Sequence, residues 1–509
     1  MDASQVHYLI SSTLALSLLI VVVASMLAKR ERSVSITASF MFLPLILVTS
    51  IQLFIGGRSG YLDGAFLSGS FLGEFNFLLD YISGPISITV LVVSMIIAIY
   101  AYPYMSRKLK EEGEEVLSGL KLFYLLYYIF AISMYASVIS TNLVEFYLFL
   151  EVGLISSFIL INNYGYGDRR KIALLYLVWT HIGAVLFLVG SLAFGYYEGS
   201  FNVFLSNGKI ISLNGISYEV AKLIFALMLI GLLVKAAAFG FHLWLPYAHA
   251  EAPTPISALL SPLLIGIGPY VILRFLIPLF PEQFNSVRVI LAIWGTITII
   301  YGGLNALYER DFKRFLAYSS ISQMGYLIVA AASGNIFGYA GLILHYIAHA
   351  FGKAVLFGSA GSIIYHENEL RDIRNMGGML RALPLTGNSA LIGFFTITGM
   401  PPTVGFWSEL FIVRGSVDAF SAAGNVGWLV LFLLFIGFSI SISYSFYNYK
   451  RIFQGPPKFE KTKENHLIVG TLIALSIASV ILFVIAPAYA NALVGYLKSY
   501  YASVGGVYG

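Results

Sequence analysis

Long apolar segments recur along the whole sequence, separated by short stretches rich in charged residues, Gly or Pro. A helix of about 20 apolar residues crosses the roughly 30 Å hydrocarbon layer of a bilayer. The pattern predicts an all-α polytopic membrane protein with about fourteen transmembrane helices and no separate soluble domain. The predicted spans are 8–28, 34–55, 83–102, 122–139, 143–161, 172–194, 220–245, 255–277, 287–307, 315–332, 336–364, 385–413, 426–449 and 467–494.

Composition agrees with this interpretation and excludes several functions. The 509 residues are 58% hydrophobic and 11% charged, which a soluble chain of this length does not tolerate. The net charge of +5 therefore indicates membrane topology rather than nucleic-acid binding. With no Cys, the chain holds no disulfide, iron–sulfur cluster or thiolate metal site of its own. The absence of Cys and the scarcity of Gln are weakly typical of a hot environment.

The basic residues predict the orientation, because Lys and Arg collect in loops that stay cytoplasmic. In the fourteen-helix arrangement, 21 of the 30 Lys and Arg residues fall on one side and six on the other. We therefore expect a cell-membrane protein with both termini outside. The six on the less basic side are Arg58, Lys209, Lys222, Arg288, Arg414 and Lys498. The remaining three, Lys235, Arg274 and Lys353, lie within spans.

Two predicted spans contain helix breakers. The seventh is interrupted at its end by Pro246 and residues 252–255 (APTP), and the twelfth by residues 399–402 (GMPP). Irregular backbone at membrane depth is tolerated where it is buried or lines a wet cavity. The breaks lie five spans apart, as expected for two five-helix repeats inverted across the membrane. The alternative is that Pro and Gly are simply commoner in membrane helices.

Four charged residues, Glu151, Lys235, Lys353 and Glu409, lie away from the ends of predicted spans, toward the bilayer centre. Such groups cost about 2.5–3.5 kcal/mol on insertion scales and mark functional sites. A buried Glu and a buried Lys within reach of each other stay ionised as a pair, and each responds to the protonation of the other. We therefore interpret Glu151 and Lys235 as a proton-sensitive pair.

His345, His349 and Lys353 recur every four residues, so they share one face of the eleventh helix. A single His on an apolar helix is usually structural, but three protonatable groups in a row favour a hydrated proton relay. A metal site is less favoured, because neither a carboxylate nor a Cys accompanies them at ligand spacing.

Other charged or polar residues have structural interpretations. Arg274 is expected to extend to the nearby membrane surface, and Glu145 to cap the fifth helix or contribute to the pathway. Asp80 and Glu251 lie near span boundaries. The second-rank pathway candidates, which packing explains equally well, are Glu145, His242, His249 and Asp311.

Several ordered motifs resemble the proton-conducting membrane transporter family. They are residues 235–257 (KAAAFGFHLWLPYAHAEAPTPIS), 311–325 (DFKRFLAYSSISQMG), 349–357 (HAFGKAVLF), 399–409 (GMPPTVGFWSE) and 79–83 (LDYIS). The family contains the antiporter-like M- and N-type subunits of respiratory NADH:quinone oxidoreductase, Mrp cation/proton antiporters and energy-converting hydrogenases. The resemblance covers roughly residues 75–450.

The resemblance implies a fourteen-helix ion-translocating subunit with two inverted repeats. Residues 1–120 would hold helices one to three, 121–280 the first repeat, 281–450 the second, and 451–509 a cytoplasmic loop and the last helix. The implied pathway residues are Glu151, Lys235, His345, His349, Lys353 and Glu409. Two departures stand out: Gly266 occupies the eighth-helix position where M- and N-type members carry Lys, and Leu150 replaces an aromatic residue. We expect either water beside Gly266 to replace the missing Lys or the two halves to be less tightly coupled.

The resulting hypothesis is a proton- or sodium-translocating subunit of a multisubunit respiratory complex, without a catalytic redox site or cofactor of its own. Iron–sulfur clusters and a metal centre would lie in peripheral partner subunits on the cytoplasmic side, beside other membrane subunits. The lack of the eighth-helix Lys favours an archaeal membrane-bound hydrogenase or sulfane sulfur reductase. The alternatives are an Mrp-type Na⁺/H⁺ antiporter subunit and a structural membrane scaffold.

Overall fold

The computed structural model describes residues 8–70, 72–204, 210–211, 216–367 and 369–502. Within these ranges, twelve helical segments are long and apolar enough to cross a membrane. Two broken helix pairs supply two more crossings, which confirms an all-α polytopic membrane protein. Lys209, assigned from the sequence to the less basic side, lies outside the described residues.

The first half of the chain contains eight crossings, which begin and end close to the predicted spans. Two short helices form the second crossing, a broken pair forms the seventh, and three helices joined by π-helical turns form the eighth. In chain order they are α1 (Leu9–Leu27), α2 (Glu31–Phe40) with α3 (Phe42–Gly56), α4 (Ser83–Glu111), α5 (Val116–Ile139), α6 (Leu143–Tyr164), α7 (Arg169–Glu198), α8 (Tyr218–Lys235) with α9 (Trp244–Glu251), and α10 (Thr254–Leu259), α11 (Ile267–Val271) and α12 (Ile277–Leu279).

The second half contains six crossings, and a second broken pair forms one of them. A single helical turn, α16, precedes that pair on the side that carries most Lys and Arg. The helices are α13 (Pro281–Tyr308), α14 (Phe312–Ala332), α15 (Ile336–His366), α16 (Met379–Ala382), α17 (Pro384–Ile397) with α18 (Gly405–Phe420), α19 (Gly424–Phe453) and α20 (His466–Ala502). We call the side that carries most Lys and Arg the basic side, and the other the opposite side.

A small β-structured segment connects α3 to α4 on the opposite side. It contains strands β1 (Tyr61–Leu62), β2 (Leu67–Gly69), β3 (Gly73–Phe75) and β4 (Leu78–Leu79), with β1 antiparallel to β4 and β2 antiparallel to β3. The carboxylate of Asp63 in this segment accepts hydrogen bonds from the backbone N–H groups of Ile10 and Ser11. It thereby satisfies free donors at the start of α1, as an N-terminal cap does.

The break in the seventh crossing lies at residues 236–243, between α8 and α9, and not at Pro246 or residues 252–255. Pro246 stands in the first turn of α9, where a backbone N–H is not needed, so it does not interrupt the helix. The predicted break in the twelfth crossing is confirmed, because residues 398–404 separate α17 from α18.

Indole groups satisfy backbone carbonyls at the first break. The Nε1–H groups of Trp179 and Trp294 donate to the carbonyls of Phe241 and Phe239, both at 2.9 Å. Trp244 Nε1–H lies 3.3 Å from the carbonyl of Val234. An unsatisfied carbonyl at membrane depth costs several kcal/mol, so these donors make the broken backbone tolerable.

Arg274 corrects a prediction made from the sequence. It does not extend to the membrane surface but is buried, and its Nη2 lies 2.7 Å from Asp80 Oδ2. Its guanidinium also lies 4.5 Å from the ring centre of Phe204 and 5.5 Å from that of Tyr500. Arg274 therefore joins the eighth crossing to the start of α4 and the end of α20.

Helix α15 forms the centre of the molecule. Every residue from Gly338 to Ile364 is buried. The most apolar part of the α10–α12 crossing is also fully buried. The polar side chains on these helices consequently face protein rather than lipid, which is the usual arrangement for functional groups in a membrane. The division of the chain at 121–280 and 281–450 into inverted repeats stays a prediction.

Candidate functional site

The predicted row on α15 consists of His345, His349 and Lys353, and all three are buried. Because α15 runs from the opposite side to the basic side, Lys353 lies nearest the basic side. The Nε2 atoms of both His residues have no hydrogen-bond partner among the described residues. A buried polar atom without a protein partner is usually satisfied by water, and here two such atoms lie one helical turn apart.

Lys353 contacts α14. Its ammonium donates hydrogen bonds to the Leu316 carbonyl, at 3.0 Å, and to the Ser319 hydroxyl. Neither acceptor carries a charge, and no carboxylate lies within ion-pair distance of Lys353 among the described residues. A buried ammonium held only by neutral acceptors exchanges its proton more readily than one held by a carboxylate.

His345 lies at the other end of the row, next to the second break. Its Nδ1 is 3.1 Å from the Ser408 hydroxyl, and Ser408 precedes Glu409 in α18. Glu409 is half-buried and lies against Gly399, where an added Cβ would be 2.2 Å from Glu409 Oε2. Gly399 has φ +64°, which favours glycine. Ser408 thus contacts the end of the His row, and Glu409 lies within electrostatic range of Tyr326, whose ring centre is 5.6 Å from that of His345.

Two residues extend the row toward the basic side. His249 in α9 is buried, its two ring nitrogens have no hydrogen-bond partner among the described residues, and it lies within electrostatic range of Lys353 and Lys313. Lys313 is also buried and donates to the carbonyls of Ala250, at 3.2 Å, and Ala252 at the end of α9. The sequence interpretation overlooked Lys313, although it lies within a motif that we had singled out.

Aromatic hydroxyls continue from Lys313 toward the loops. Its ammonium is 5.5 Å from the ring centre of Tyr166, and the ammonium of Lys108 is 3.8 Å from the same ring. The Tyr166 hydroxyl is 2.5 Å from that of Tyr104, which accepts a hydrogen bond from Thr254 at 3.0 Å. Burial raises the pKa of Tyr166, which lies in the loop between α6 and α7, so this hydroxyl stays protonated at neutral pH.

Glu151 and Lys235 form a second group, arranged differently from the prediction. Glu151 Oε2 is 2.8 Å from Nδ1 of His181, whereas no ion pair joins Glu151 to Lys235. The Lys235 ammonium is buried and has no hydrogen-bond partner among the described residues, but Glu151 lies within its electrostatic range. His181, which the sequence interpretation missed, is a lone imidazole in an apolar span and could have been found by that signal.

The structure places the second-rank candidates in different surroundings. Glu145 Oε2 accepts from the Thr141 N–H at the start of α6, and Asp311 caps α14 through the Arg314 N–H. His242 bonds to the Tyr301 hydroxyl at 3.1 Å and stacks on Phe239. Among these candidates, His249 is the one that the structure brings into the row.

The structure contradicts the expectation of water beside Gly266. The ring of Tyr346 fills this space, since a Cβ on Gly266 would lie 2.6 Å from a carbon of that ring. The Tyr346 hydroxyl donates to the Leu263 carbonyl at 2.7 Å. An aromatic ring therefore occupies the position into which a Lys side chain would project.

The geometry of these groups suits proton movement. Among the described residues, no three His, Asp or Glu side chains converge in the manner of a metal site. The buried groups are imidazoles and ammonium groups, and imidazole can accept a proton on one nitrogen while it releases another from the second.

A family model for transmembrane segments of the NADH:quinone oxidoreductase/Mrp antiporter matches residues 140–441. The chain belongs to this family. The resemblance inferred from the motifs is thereby confirmed. The matched region includes both broken crossings and every residue of the row.

One curated relative is the chloroplastic NAD(P)H-quinone oxidoreductase subunit 5 of Chloranthus spicatus, which is 31% identical over 476 residues. The match covers 88% of this chain and 61% of that protein, so this chain spans about three fifths of the length of the relative. The activity of the complete relative is therefore not transferred directly.

Two solved structures share the fold over nearly their whole length. A chain of respiratory complex I from Thermus thermophilus with bound NADH gives a TM-score of 0.83 at 22% identity, covering 98% of this chain and 100% of that one. A chain of the membrane-bound sulfane sulfur reductase, an archaeal respiratory membrane complex, gives 0.82 at 22% identity, covering 97% and 99%. At this identity the likeness shows the fold alone.

Proposed function

We propose that this chain is a proton-translocating, antiporter-like subunit of a multisubunit respiratory membrane complex. The observation that carries the proposal is one set of protonatable groups, five buried and one half-buried, that begins near the basic side and ends beyond the second helix break. In order, the set consists of Lys313, His249, Lys353, His349, His345 and Glu409.

The proposed proton path follows this order. A proton taken up near Lys313 passes through His249 to Lys353, whose acceptors on α14 are neutral. Water beside the unpartnered Nε2 atoms of His349 and His345 carries it along α15. Glu409 accepts it in the opposite half of the membrane and releases it there.

Glu151 is proposed to control this transfer. Its carboxylate bonds to His181 here, and Lys235 has no hydrogen-bond partner in the described part of the chain. Moving the carboxylate from His181 to Lys235 would stabilise the charged ammonium, and moving it back would favour release of that proton. Glu151 can thus pair with His181 or with Lys235, and a neighbouring subunit can stabilise one of these two states.

The position of His181 supports contact with another membrane subunit. It lies in the middle of α7, and 48% of its side chain is exposed. A polar or charged imidazole facing hydrocarbon is costly, so a protein surface is expected to cover it. Peripheral subunits on the basic side would hold the redox centres, including the iron–sulfur clusters and metal centre that this chain does not supply.

The proposed orientation places the basic side in the cytoplasm and both termini outside the cell membrane. Its support is the uneven distribution of Lys and Arg between the two sides, because the positive-inside rule acts on short loops such as these. In that orientation, Lys313 faces the cytoplasmic source of protons.

The test is proton translocation by the intact complex in proteoliposomes. We expect Lys353→Met and Lys235→Met to reduce proton movement per turnover by about tenfold or more while the complex assembles, since each removes a protonatable buried group. Lys222→Met, which removes an exposed Lys on the opposite side, is the matched control and should behave as wild type.

Full proton movement in both buried-Lys variants would refute the proposal and leave the scaffold alternative. Movement that requires sodium and persists without a redox substrate would instead support an Mrp-type exchanger, which the family description also includes. Identification of the subunits in the purified native complex would distinguish a hydrogenase from a sulfane sulfur reductase or a quinone reductase.

A further inference from the structure

A crevice with a volume of about 550 Å³ lies on the basic side, remote from the proton path. Its walls come from α2, α4 and the start of α20, and we call it the α2–α20 crevice. Its lining includes Arg32, Ile36, Ser39, Phe40, Tyr102 and His466.

One face of α2 lines the crevice and changes from charged to apolar along its length. Arg32, Ile36 and Phe40 follow one another at four-residue spacing, so they form a single stripe about 12 Å long. Ile36 and Phe40 are 56% and 51% exposed. The stripe therefore has a cation at the membrane surface and apolar side chains directly below it.

A second basic group lies at the same mouth. His466 is the first residue of α20 and is exposed, and neither it nor Arg32 forms an ion pair within the described residues. The nearby carboxylate of Glu464 is occupied, since it accepts hydrogen bonds from the backbone N–H groups of Leu385 and Thr386. The mouth thus has a permanent cation, Arg32, and an imidazole, and neither forms an ion pair within the described residues.

The crevice wall also contains a polar atom without a protein partner. Ser39 is 2% exposed and lines the crevice, and its hydroxyl has no hydrogen-bond partner among the described residues. The neighbouring wall residue Ser35, in contrast, bonds to the Tyr124 hydroxyl at 3.0 Å. The Ser39 hydroxyl is therefore available to a polar group that enters the crevice.

The size and charge of the crevice identify its occupant. A helix about 10 Å wide would fill about 550 Å³ with little more than one turn, so the space does not fit a spanning helix of a partner. A flexible acyl chain fits it, and anionic lipid headgroups gain about 1 kcal/mol for each Lys or Arg near the membrane surface.

We propose that the α2–α20 crevice binds one anionic phospholipid. Its phosphate lies between Arg32 and His466, and one acyl chain runs along Ile36 and Phe40. The lipid joins the N-terminal helices to α20, which approaches them from the far end of the chain.

Native mass spectrometry of the purified complex, titrated with dioleoyl phosphatidylglycerol, tests this. We expect the double variant Arg32→Gln, His466→Gln to bind one phosphatidylglycerol fewer per chain, with about tenfold weaker affinity, which is about 1.4 kcal/mol. The control Lys222→Gln, Lys498→Gln removes exposed basic residues on the opposite side and should lose none. Equal loss in the control, equal binding of dioleoyl phosphatidylcholine, or displacement by inorganic phosphate would overturn the proposal.

A second measurement does not depend on removing charge. Trp introduced as Phe40→Trp should be quenched more strongly by dibrominated phosphatidylglycerol than by dibrominated phosphatidylcholine. Trp introduced as Phe54→Trp, at a position 88% exposed at the end of α3, should respond equally to both lipids. If the two brominated lipids quenched the Phe40→Trp variant equally, the crevice would have only ordinary bilayer contact or a partner subunit, and the proposal would be overturned. Neither measurement depends on proton transport, so this inference and the proposed function can fail separately.

Discussion

At the scale of single residues, the candidate site depends on close contacts that leave no room for additional atoms. Gly399 shows this most directly, because the Glu409 carboxylate occupies the space where a Cβ would lie. The position of the Lys313 ammonium depends on hydrogen bonds to two backbone carbonyls at the end of α9. Both residues control a neighbouring functional group through geometry.

Gly399→Ala should displace Glu409 and reduce proton movement. The substitution introduces a positive-φ strain of about 1–2 kcal/mol and also a clash at 2.2 Å. Gly424→Ala is the matched control, since Gly424 has φ +65° but nothing within 4 Å of its added Cβ. We expect similar strain in both variants and a transport defect, measured in proteoliposomes, in Gly399→Ala alone. An equal defect in both would show that backbone strain, and not the displaced carboxylate, is responsible.

Lys313→Met should weaken both the fold near α9 and proton uptake. It leaves the Ala250 carbonyl without its donor, at a cost of about 1–3 kcal/mol, and the Ala252 carbonyl with only the Ser257 hydroxyl at 3.5 Å. Lys313→Arg restores a donor with a guanidinium that does not release its proton. If Lys313 carries protons, the Arg variant should recover thermal stability but not transport. Recovery of both would assign Lys313 a structural role only.

At the scale of elements, the two broken crossings have different causes. Gly and Pro mark the second break in the sequence, whereas the first lies in an Ala- and aromatic-rich segment and is stabilised by indole donors on other helices. The sequence therefore located one break correctly and placed the other several residues too late. Contacts between helices decide where a helix ends when the local residues favour its continuation.

Trp294→Phe should destabilise the first break by about 1–2 kcal/mol, because it removes the donor to the Phe239 carbonyl and keeps an aromatic ring of similar shape. Trp428→Phe is the control, since Trp428 is 61% exposed and donates no hydrogen bond within the described residues. The midpoint of thermal unfolding of the detergent-solubilised complex measures the difference. Equal midpoints would show that the carbonyl finds another donor.

At the scale of the whole molecule, one buried ion pair connects distant parts of the chain. Arg274 and Asp80 join the eighth crossing to the start of α4, and Tyr496 donates to Asp80 Oδ2 at 3.0 Å from α20. Removing one partner of such a buried ion pair strongly destabilises the folded protein, because the other charge is left buried and uncompensated.

We expect Arg274→Met or Asp80→Asn alone to destabilise the protein by about 3–5 kcal/mol, and the double variant to cost less than the sum. Thermal unfolding of all four proteins gives the coupling energy. Additive effects would show that the two groups do not act as a pair in the membrane. Arg414→Met and Asp418→Asn, which form an exposed pair at 2.8 Å, provide the comparison and should change stability by less than about 1 kcal/mol.

The sequence by itself determined the membrane architecture and most of the row. Helix crossings follow from apolar length, and the spacing of His345, His349 and Lys353 on one helix fixes their common face. These features depend on neighbours along the chain, so no tertiary information is needed to predict them. The motifs also identified the family correctly.

Only the tertiary structure decided which buried groups meet. It placed His249 within electrostatic range of both Lys313 and Lys353, and it paired Glu151 with His181 instead of Lys235. It also buried Arg274 against Asp80 and filled the space beside Gly266 with Tyr346. Each of these contacts joins residues on different helices, and the rotation of a helix against its neighbours depends on packing over its whole length. The hydrophobic pattern specifies that a helix crosses the membrane, but not which partner each of its polar residues will face.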